Sequence, residues 1–405
     1  MSTQVASQLT EDVVRELSAT NDEPQWLLDQ RLEALAALDD LDFPDVIKTP
    51  GRLWTNLDNL DFETLVDPLT QAEDTTIEAP DGVDVLPFHE ALEAEESLVR
   101  DRFGSVVDPL KNRLTALSTA LFTSGTVVFI PDGVDVEDVT IRTTMNSRSL
   151  FKYTLIVTGE SASATILERQ STGDDVDGSD ERYYSGIVEV AGGENSFVQY
   201  GSLQDLSEDT YNYTIKRGDA DTYASVNFIE GNLGSRLTKT TVGTTLNGDG
   251  AETKIVGAFF GHNDQHFDLD SRVYHRAEHT TADLVTRGVI DDRARSVYEG
   301  TQHVGTDAWN TSSYQRENTL MLSDESEADA SPKLIINNHD TEASHSATVG
   351  QIDEEDLLYM MTRGVNEQDA KDMLVEGFFV PVLEEVEVEE LRADLEERIR
   401  QRLRE

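Results

Sequence analysis

A chain of 405 residues with 38% apolar content can bury a sizeable core and hold two or three structural regions, and its 80 Asp and Glu against 32 Lys and Arg leave a net charge of −48. Such a polyanion excludes nucleic acid bound through its phosphates, and acid spread over the whole length with little lysine suits a halophile, where concentrated counter-ions screen the self-repulsion. The absence of cysteine excludes disulfides, zinc–thiolate sites and cysteine nucleophiles.

The amino-terminal MSTQVASQLTEDVVREL has no basic region followed by an apolar run, and no stretch approaches a membrane span, so a soluble, cytoplasmic protein with no membrane partner is expected. Thr10 can cap a helix bearing Val13, Val14 and Leu17. Glu23-Pro24 opens a second, with Trp26, Leu27, Leu32 and Leu35 at helical spacing. From Asp39 to Val85 the spacing is irregular and rich in Asp, Thr and Pro, including Thr49-Pro50-Gly51-Arg52, and predicts a long loop with local turns. Helices return between about Phe88 and Leu121.

At Gly125 the pattern changes. Thr126 to Ile130 is a β-branched run stopped by Pro131-Asp132-Gly133, and short strands then alternate with glycine and acidic turns to about Ile336. Gly159-Glu160-Ser161-Ala162, Gly193-Glu194-Asn195-Ser196, Gly218-Asp219-Ala220 and Gly248-Asp249-Gly250-Ala251 form a loose repeat between strand-like segments. Strands and tight turns at repeated, inexact intervals suit a β-helix; a β-sandwich is the competing reading of the same pattern.

Lys333 to Ala343 reads as extended chain with an apolar Leu334-Ile335-Ile336, and everything after Gly350 has helical spacing, which puts the seam at Ser344-His345-Ser346. Asp353 caps a helix with Glu354, Glu355 and Asp356 in its first turn and Leu357, Leu358 and Met361 on its apolar face; Arg363-Gly364 closes it. Asn366 caps a second that Gly377 ends, and residues 383–405 form a final amphipathic helix along Leu391, Leu395, Ile399 and Leu403. Two short helices after a strand bearing an exposed histidine make a docking module.

No G-x-x-x-x-G-K-S/T loop occurs, so the chain has no ATP site of that kind, and no G-x-G-x-x-G or G-x-S-x-G motif is present. Adjacent carboxylates such as Asp291-Asp292 and Asp353-Glu354 are expected by chance in so acidic a chain. His262, His266, His275 and His279 pair at spacings of four and could build a zinc or iron site with Asp268 and Asp270, or could be ordinary polar rings hydrogen-bonded along a β-helix.

The run Ser344-His345-Ser346-Ala347-Thr348-Val349-Gly350-Gln351, with Asp353-Glu354, Leu358-Tyr359, Arg363-Gly364 and Gly377-Phe378, resembles the carboxy-terminal signature of the SufB/SufD family of iron–sulfur cluster assembly scaffolds. EPQWLLDQRLEAL resembles the family's amino-terminal motif. Gln265-His266, His275, His279, Arg287-Gly288-Val289, Gln302, Gln315-Arg316 and Asn318-Thr319-Leu320 fall in family-like order. The resemblance implies a mainly β fold: a right-handed β-helix core over 123–345 between an amino-terminal helical region, 1–122, and a carboxy-terminal helical region, 346–405.

It further implies a non-enzymatic scaffold. His345 would be a candidate ligand of a transient iron–sulfur cluster at the junction with a SufB-like partner, and Asp353, Leu357, Leu358, Tyr359, Arg363 and Gly364 would dock a SufC-like ATPase. Ser344, Ser346 and the lack of cysteine put the chain on the SufD side; Ala343 stands where many SufD relatives have cysteine. Iron entry and the reduced flavin of some complexes in this family correspond to no motif here. Two other readings remain: a metal-dependent β-helix enzyme built on the four histidines, and a SufB-like homodimeric scaffold.

Overall fold

The computed structural model describes residues 9–49, 52–57, 60–80, 82–173, 181–386 and 388–404; the turn expected at Pro50-Gly51 and the first eight residues lie outside them. The amino-terminal region comprises α1 (Glu11–Thr20), α2 (Gln25–Ala37), β1 (Lys48–Thr49), β2 (Arg52–Leu53), α3 (Phe62–Leu65), β3 (Glu73–Glu78), β4 (Asp84–Pro87), α4 (Phe88–Ala94), α5 (Glu96–Arg102) and α6 (Arg113–Leu121). Thr10 caps α1 through a bond from Val13 N, and Asn112 caps α6. The stretch expected to be loop thus holds four short strands and a helix. β1 and β2 pair with each other, whereas the partners of β3 and β4 lie 39 or more residues further along the chain, where a local reading does not reach.

The core strands follow in order: β5 (Ser124–Ile130), β6 (Asp135–Met145), β7 (Ser149–Thr158), β8 (Ser163–Thr172), β9 (Arg182–Gly192), β10 (Phe197–Asp205), β11 (Thr210–Ala220) and β12 (Ser225–Asn232). Then come β13 (Leu237–Leu246), β14 (Glu252–Gly261), β15 (His266–His275), β16 (Thr281–Ile290), β17 (Arg295–Val304), β18 (Thr311–Met321), β19 (Glu327–Ile336) and β20 (Thr341–Gln351). The helices α7 (Glu354–Thr362), α8 (Glu367–Leu383) and α9 (Glu389–Arg402) complete the chain.

From β6 the even strands stack in parallel into one nine-stranded sheet, the odd strands from β5 into a second, and each sheet starts from one antiparallel strand, β3 or β4. This is a parallel β-solenoid of two strands per coil, not a sandwich of antiparallel sheets. In-register neighbours are separated by 26 residues (Tyr211 and Leu237) to 34 (Ser163 and Phe197), a period the sequence blurs. One column of turns repeats a left-handed residue, Ser161, Asn195, Tyr223, Gly250, His279 and Asn310, and the first five each donate an amide to the next coil. Gly218 to Ala220, taken from the sequence as a turn of this series, instead ends β11; the turn is Asp221 to Ala224.

Side chains alternate between lumen and outer face. Ala164, Ile166, Val198, Tyr200, Val226, Phe228, Ile255 and Leu284 fill the lumen. The amino-terminal helices cover the outer face of the odd sheet, packing Leu27, Phe88, Phe103 and Phe122 on Phe151, Tyr153 and Tyr213. On the even sheet α8 and α9 bury Val375, Phe379, Leu391, Leu395 and Ile399 against Leu167, Leu203, Ile229, Phe260 and Val289. Each such side chain contributes about 1.5–3 kcal/mol by leaving water. Gly201 and Gly231 let α9 approach: a Cβ there would stand 2.6 Å from Leu391 and Leu395.

Three sequence boundaries move. Strand β20 runs to Gln351, past the expected core boundary at 345. Helix α8 passes through Gly377 and Pro381 to Leu383; nothing lies within 4 Å of a Cβ at Gly377, so no packing is lost there. The last helix begins at Glu389. Among the described residues no helix is long and apolar enough to cross a membrane.

Candidate functional site

The carboxy-terminal end of the solenoid is open. Strands β19 and β20 are the last of their sheets, each paired on one side only among the described residues. An edge strand presents unpaired N–H and C=O groups, and folded proteins guard such edges with charge, proline or a covering element. β19 carries Pro332 and Lys333 within its length, but the 11 residues of β20, TEASHSATVGQ, carry one charged side chain, Glu342. Ile335, Ile336 and Val349 add exposed apolar surface around this rim.

His345 lies in the middle of β20, not at a strand–helix junction; the seam falls at Ile352-Asp353. A polar edge strand resembles a loop in sequence because only its pairing with β18 makes it a strand. His345 registers with Gln315 and so shares its luminal face, in the row Ile166, Tyr200, Phe228, Ile255, Leu284, Gln315, His345. The imidazole is exposed because no further coil covers it.

Beyond the rim, α7 buries none of its residues. Asp353 accepts a hydrogen bond from Glu355 N at 2.8 Å, so its role is that of a cap. Leu357 is half-buried and faces a cleft of about 910 Å³ with Phe260, Leu322, Ile352 and Val375. Leu358 (61% exposed), Tyr359 (59%) and Met361 present an apolar face to solvent, with the Arg363 guanidinium 5.0 Å from the Tyr359 ring centre. Gly364 takes φ +94°, which terminates the helix as expected.

The four clustered histidines do not converge. His262 bonds Glu208 at 2.8 Å and meets Arg402; the His262 bond draws the Glu208 carboxyl down to about 2. His266 meets Thr55 and His275 meets Thr280, and burial holds both rings at about 4, uncharged at neutral pH. His279 occupies a left-handed turn and pairs with Asn310. Among the described residues no group of three or more His, Asp or Glu side chains is arranged to hold a metal ion. The spacing of four is an accident of strand ends and turns.

Sequence reasoning missed a luminal row of polar side chains. Glu168, Ser202, Glu230, Gly257, Thr286, Glu317 and Ala347 stand in register on successive even strands. Lys152 pairs with Glu168 at 2.9 Å, and Lys216 with Glu230 at 2.6 Å. Glu317, 1% exposed, accepts only the Thr319 hydroxyl at 2.5 Å; its Oε2 has no partner, and burial pushes its carboxyl up to about 7. Glutamates separated by whole numbers of coils were the available signal, legible only once the coil lengths are known.

A family model described as the SUF system FeS cluster assembly, SufBD core domain, matches residues 141–378, and a model of the SufBD protein N-terminal region matches 55–141. Curated relatives include an iron–sulfur cluster assembly SufBD family protein of Staphylococcus epidermidis, another of Staphylococcus saprophyticus, and the iron–sulfur cluster assembly protein SufB of Bacillus subtilis. Each is 27% identical, over 94% of this chain and 90% of the relative.

Proposed function

The chain belongs to the SufBD family of SUF-system iron–sulfur cluster assembly proteins, and on that premise we propose that it is the SufD-like scaffold subunit of a cytoplasmic assembly complex. The supporting observation is an unguarded terminal coil carrying an exposed histidine in a chain with no cysteine. A SufB-like subunit would extend the solenoid at β20, satisfying its free backbone groups by strand pairing and covering Ile335, Ile336 and Val349. The growing cluster, as cargo, would take His345 as one ligand and thiolates from the partner, since imidazole is a competent iron ligand and this chain has no thiolate to give.

The exposed face of α7 suits the second partner, a SufC-like ATPase. Leu358, Tyr359 and Met361 supply the apolar anchor, and Asp353 and Gly364 hold the helix that presents them. The nucleotide site would come wholly from that subunit, so this chain acts as a scaffold and not an enzyme. The net charge of −48 supports a source with concentrated intracellular salt.

A second reading, a SufB-like scaffold working as a homodimer, is favoured by one observation: a relative named SufB is as similar as the others. The lack of cysteine opposes it, because two such chains would offer a cluster only imidazole and carboxylate. Purifying the tagged chain from its host in high salt without oxygen, as wild type and His345→Ala, separates the readings. Capture of a SufB-like and a SufC-like subunit by both forms, with iron–sulfur absorbance only in the wild type, is expected; a chain that emerges as a dimer of itself overturns the SufD-like assignment.

A further inference from the structure

The lumen holds three buried glutamates in one row, and two of them have a buried lysine as counter-ion. The third, Glu317, sits one coil below the open end without one. Along the row of Lys216 the successive in-register positions are Val242, Ser271 and Gly300, so glycine stands where a lysine could meet Glu317. The Gln315 side chain occupies that space: a Cβ on Gly300 would lie 1.8 Å from its Nε2. Gln315 is itself 1% exposed, and neither its amide oxygen nor its nitrogen has a partner. Buried polar atoms without partners are costly, and the two of Gln315 beside the uncompensated Glu317 carboxyl, whose own Oε2 is a third, leave donors that a cationic guest would satisfy.

We propose that Glu317 and Gln315, beneath His345, form a luminal binding site for a divalent first-row metal cation that enters through the open end. The inference rests on the scaffold reading only for the identity of the cargo. The donors offered are a carboxylate, an amide oxygen and an imidazole. That mixed oxygen and nitrogen set suits ferrous iron, manganese or zinc and disfavours cuprous ion, which prefers thiolate and thioether. His345 stands beside Gln315 across the strand pair and diagonal to Glu317, since Ala347 is Glu317's direct neighbour; long side chains bridge such diagonals. Three donors with the remaining positions left to water give a site that holds a cation and releases it to stronger thiolate ligands brought by a partner. The cation replaces the missing ammonium of the row, and no bond to carbon or change of oxidation state is involved.

The test uses the full chain, alone, in concentrated salt without oxygen, titrated with Co²⁺ as a probe whose visible absorption reports its ligands. One Co²⁺ per chain is expected to bind the wild type. Glu317→Gln keeps the shape and removes the charge, and should weaken binding by at least about tenfold, the lower bound for loss of even an outer partner of a metal ligand. Gly300→Lys leaves the carboxylate in place and supplies an internal ammonium, displacing the end of Gln315 and crowding the Tyr298 hydroxyl, 3.0 Å from the new Cβ; it should abolish binding while raising the melting temperature. Binding that survives both substitutions unchanged, or a wild type that takes up no Co²⁺, overturns the site. Because no partner is present, either result is independent of whether the chain captures SufB-like or SufC-like subunits.

Discussion

The two ends of the solenoid are finished by opposite means. At the amino-terminal end the first coil is covered by antiparallel β3, whose six residues include Glu73, Asp74 and Glu78, and by β4, which stops at Pro87 and leads directly into α4. Arg31, fully buried, fastens the helices over that end. Its guanidinium binds Glu23 at 2.6 Å and 2.8 Å, donates to the carbonyls of Phe122 and Ala120, and lies 3.9 Å from the Phe122 ring centre. At the carboxy-terminal end nothing comparable guards β20. Charge, proline and helices guard one edge and almost nothing guards the other, which is the asymmetry that the proposed pairing with another chain would use.

The contrast can be broken first at the closed end. Arg31→Ala leaves a buried glutamate and the carbonyls of Thr119, Ala120 and Phe122 without their donor, and should cost about 3–5 kcal/mol in chemical denaturation at high salt. Partner affinity of the folded fraction should stay unchanged; a mutant of normal stability would mean the closed end is not fastened there.

At the open end the expected effect is on binding. Ala343→Lys places an ammonium at the open luminal rim opposite Ser313 and away from Glu317, where pairing would bury it unmatched. Capture of the SufB-like subunit should fall by about a hundredfold or more, while stability of the lone chain moves by no more than about 0.5 kcal/mol. Thr76→Lys, the same charge on the guarded edge, should do neither. Equal losses from both lysines would abolish the distinction between the ends.

Glu317 sharpens the comparison through pH. Its carboxyl rises to about 7 when folded, so between the ordinary carboxylate range and that value the folded state holds a proton the unfolded state has released. Stability therefore falls as pH rises through this window. Glu317→Gln should remove the loss and stabilise the metal-free chain by about 1–3 kcal/mol near pH 8, with little change near pH 4. No gain at pH 8 would mean the carboxyl is already compensated. The paired Glu168 should give the opposite result, since removing it strands Lys152 in the lumen.

The smallest effect on the fold is expected at α7. Leu358→Ser with Tyr359→Ser should reduce SufC-like capture at least about tenfold and shift stability by under about 0.5 kcal/mol, because both side chains are exposed. Unaltered capture in a pull-down would move the docking surface elsewhere.

What the sequence disclosed was what is decided locally. Thr10, Asp353, Asn366 and Gly364 are where capping chemistry put them, because a cap is satisfied within four residues. The alternation of strand and turn was equally plain. Features decided by pairing were not: β3 and β4 inside a supposed loop, β20 running through Ser344-His345-Ser346, and the four histidines dispersed to separate neighbours. The row joining Glu168, Glu230 and Glu317 is likewise invisible until coils of unequal length are laid on one another.

The most direct test of the open end is amide hydrogen exchange, comparing the lone chain with the chain mixed with the proposed SufB-like subunit in the same high-salt buffer. The account predicts fast exchange at alternate amides of Thr341–Gln351 in the lone chain, strong protection of them in the complex, and no change over Glu73–Glu78. Protection that appears at β3 and leaves β20 unaltered would contradict it.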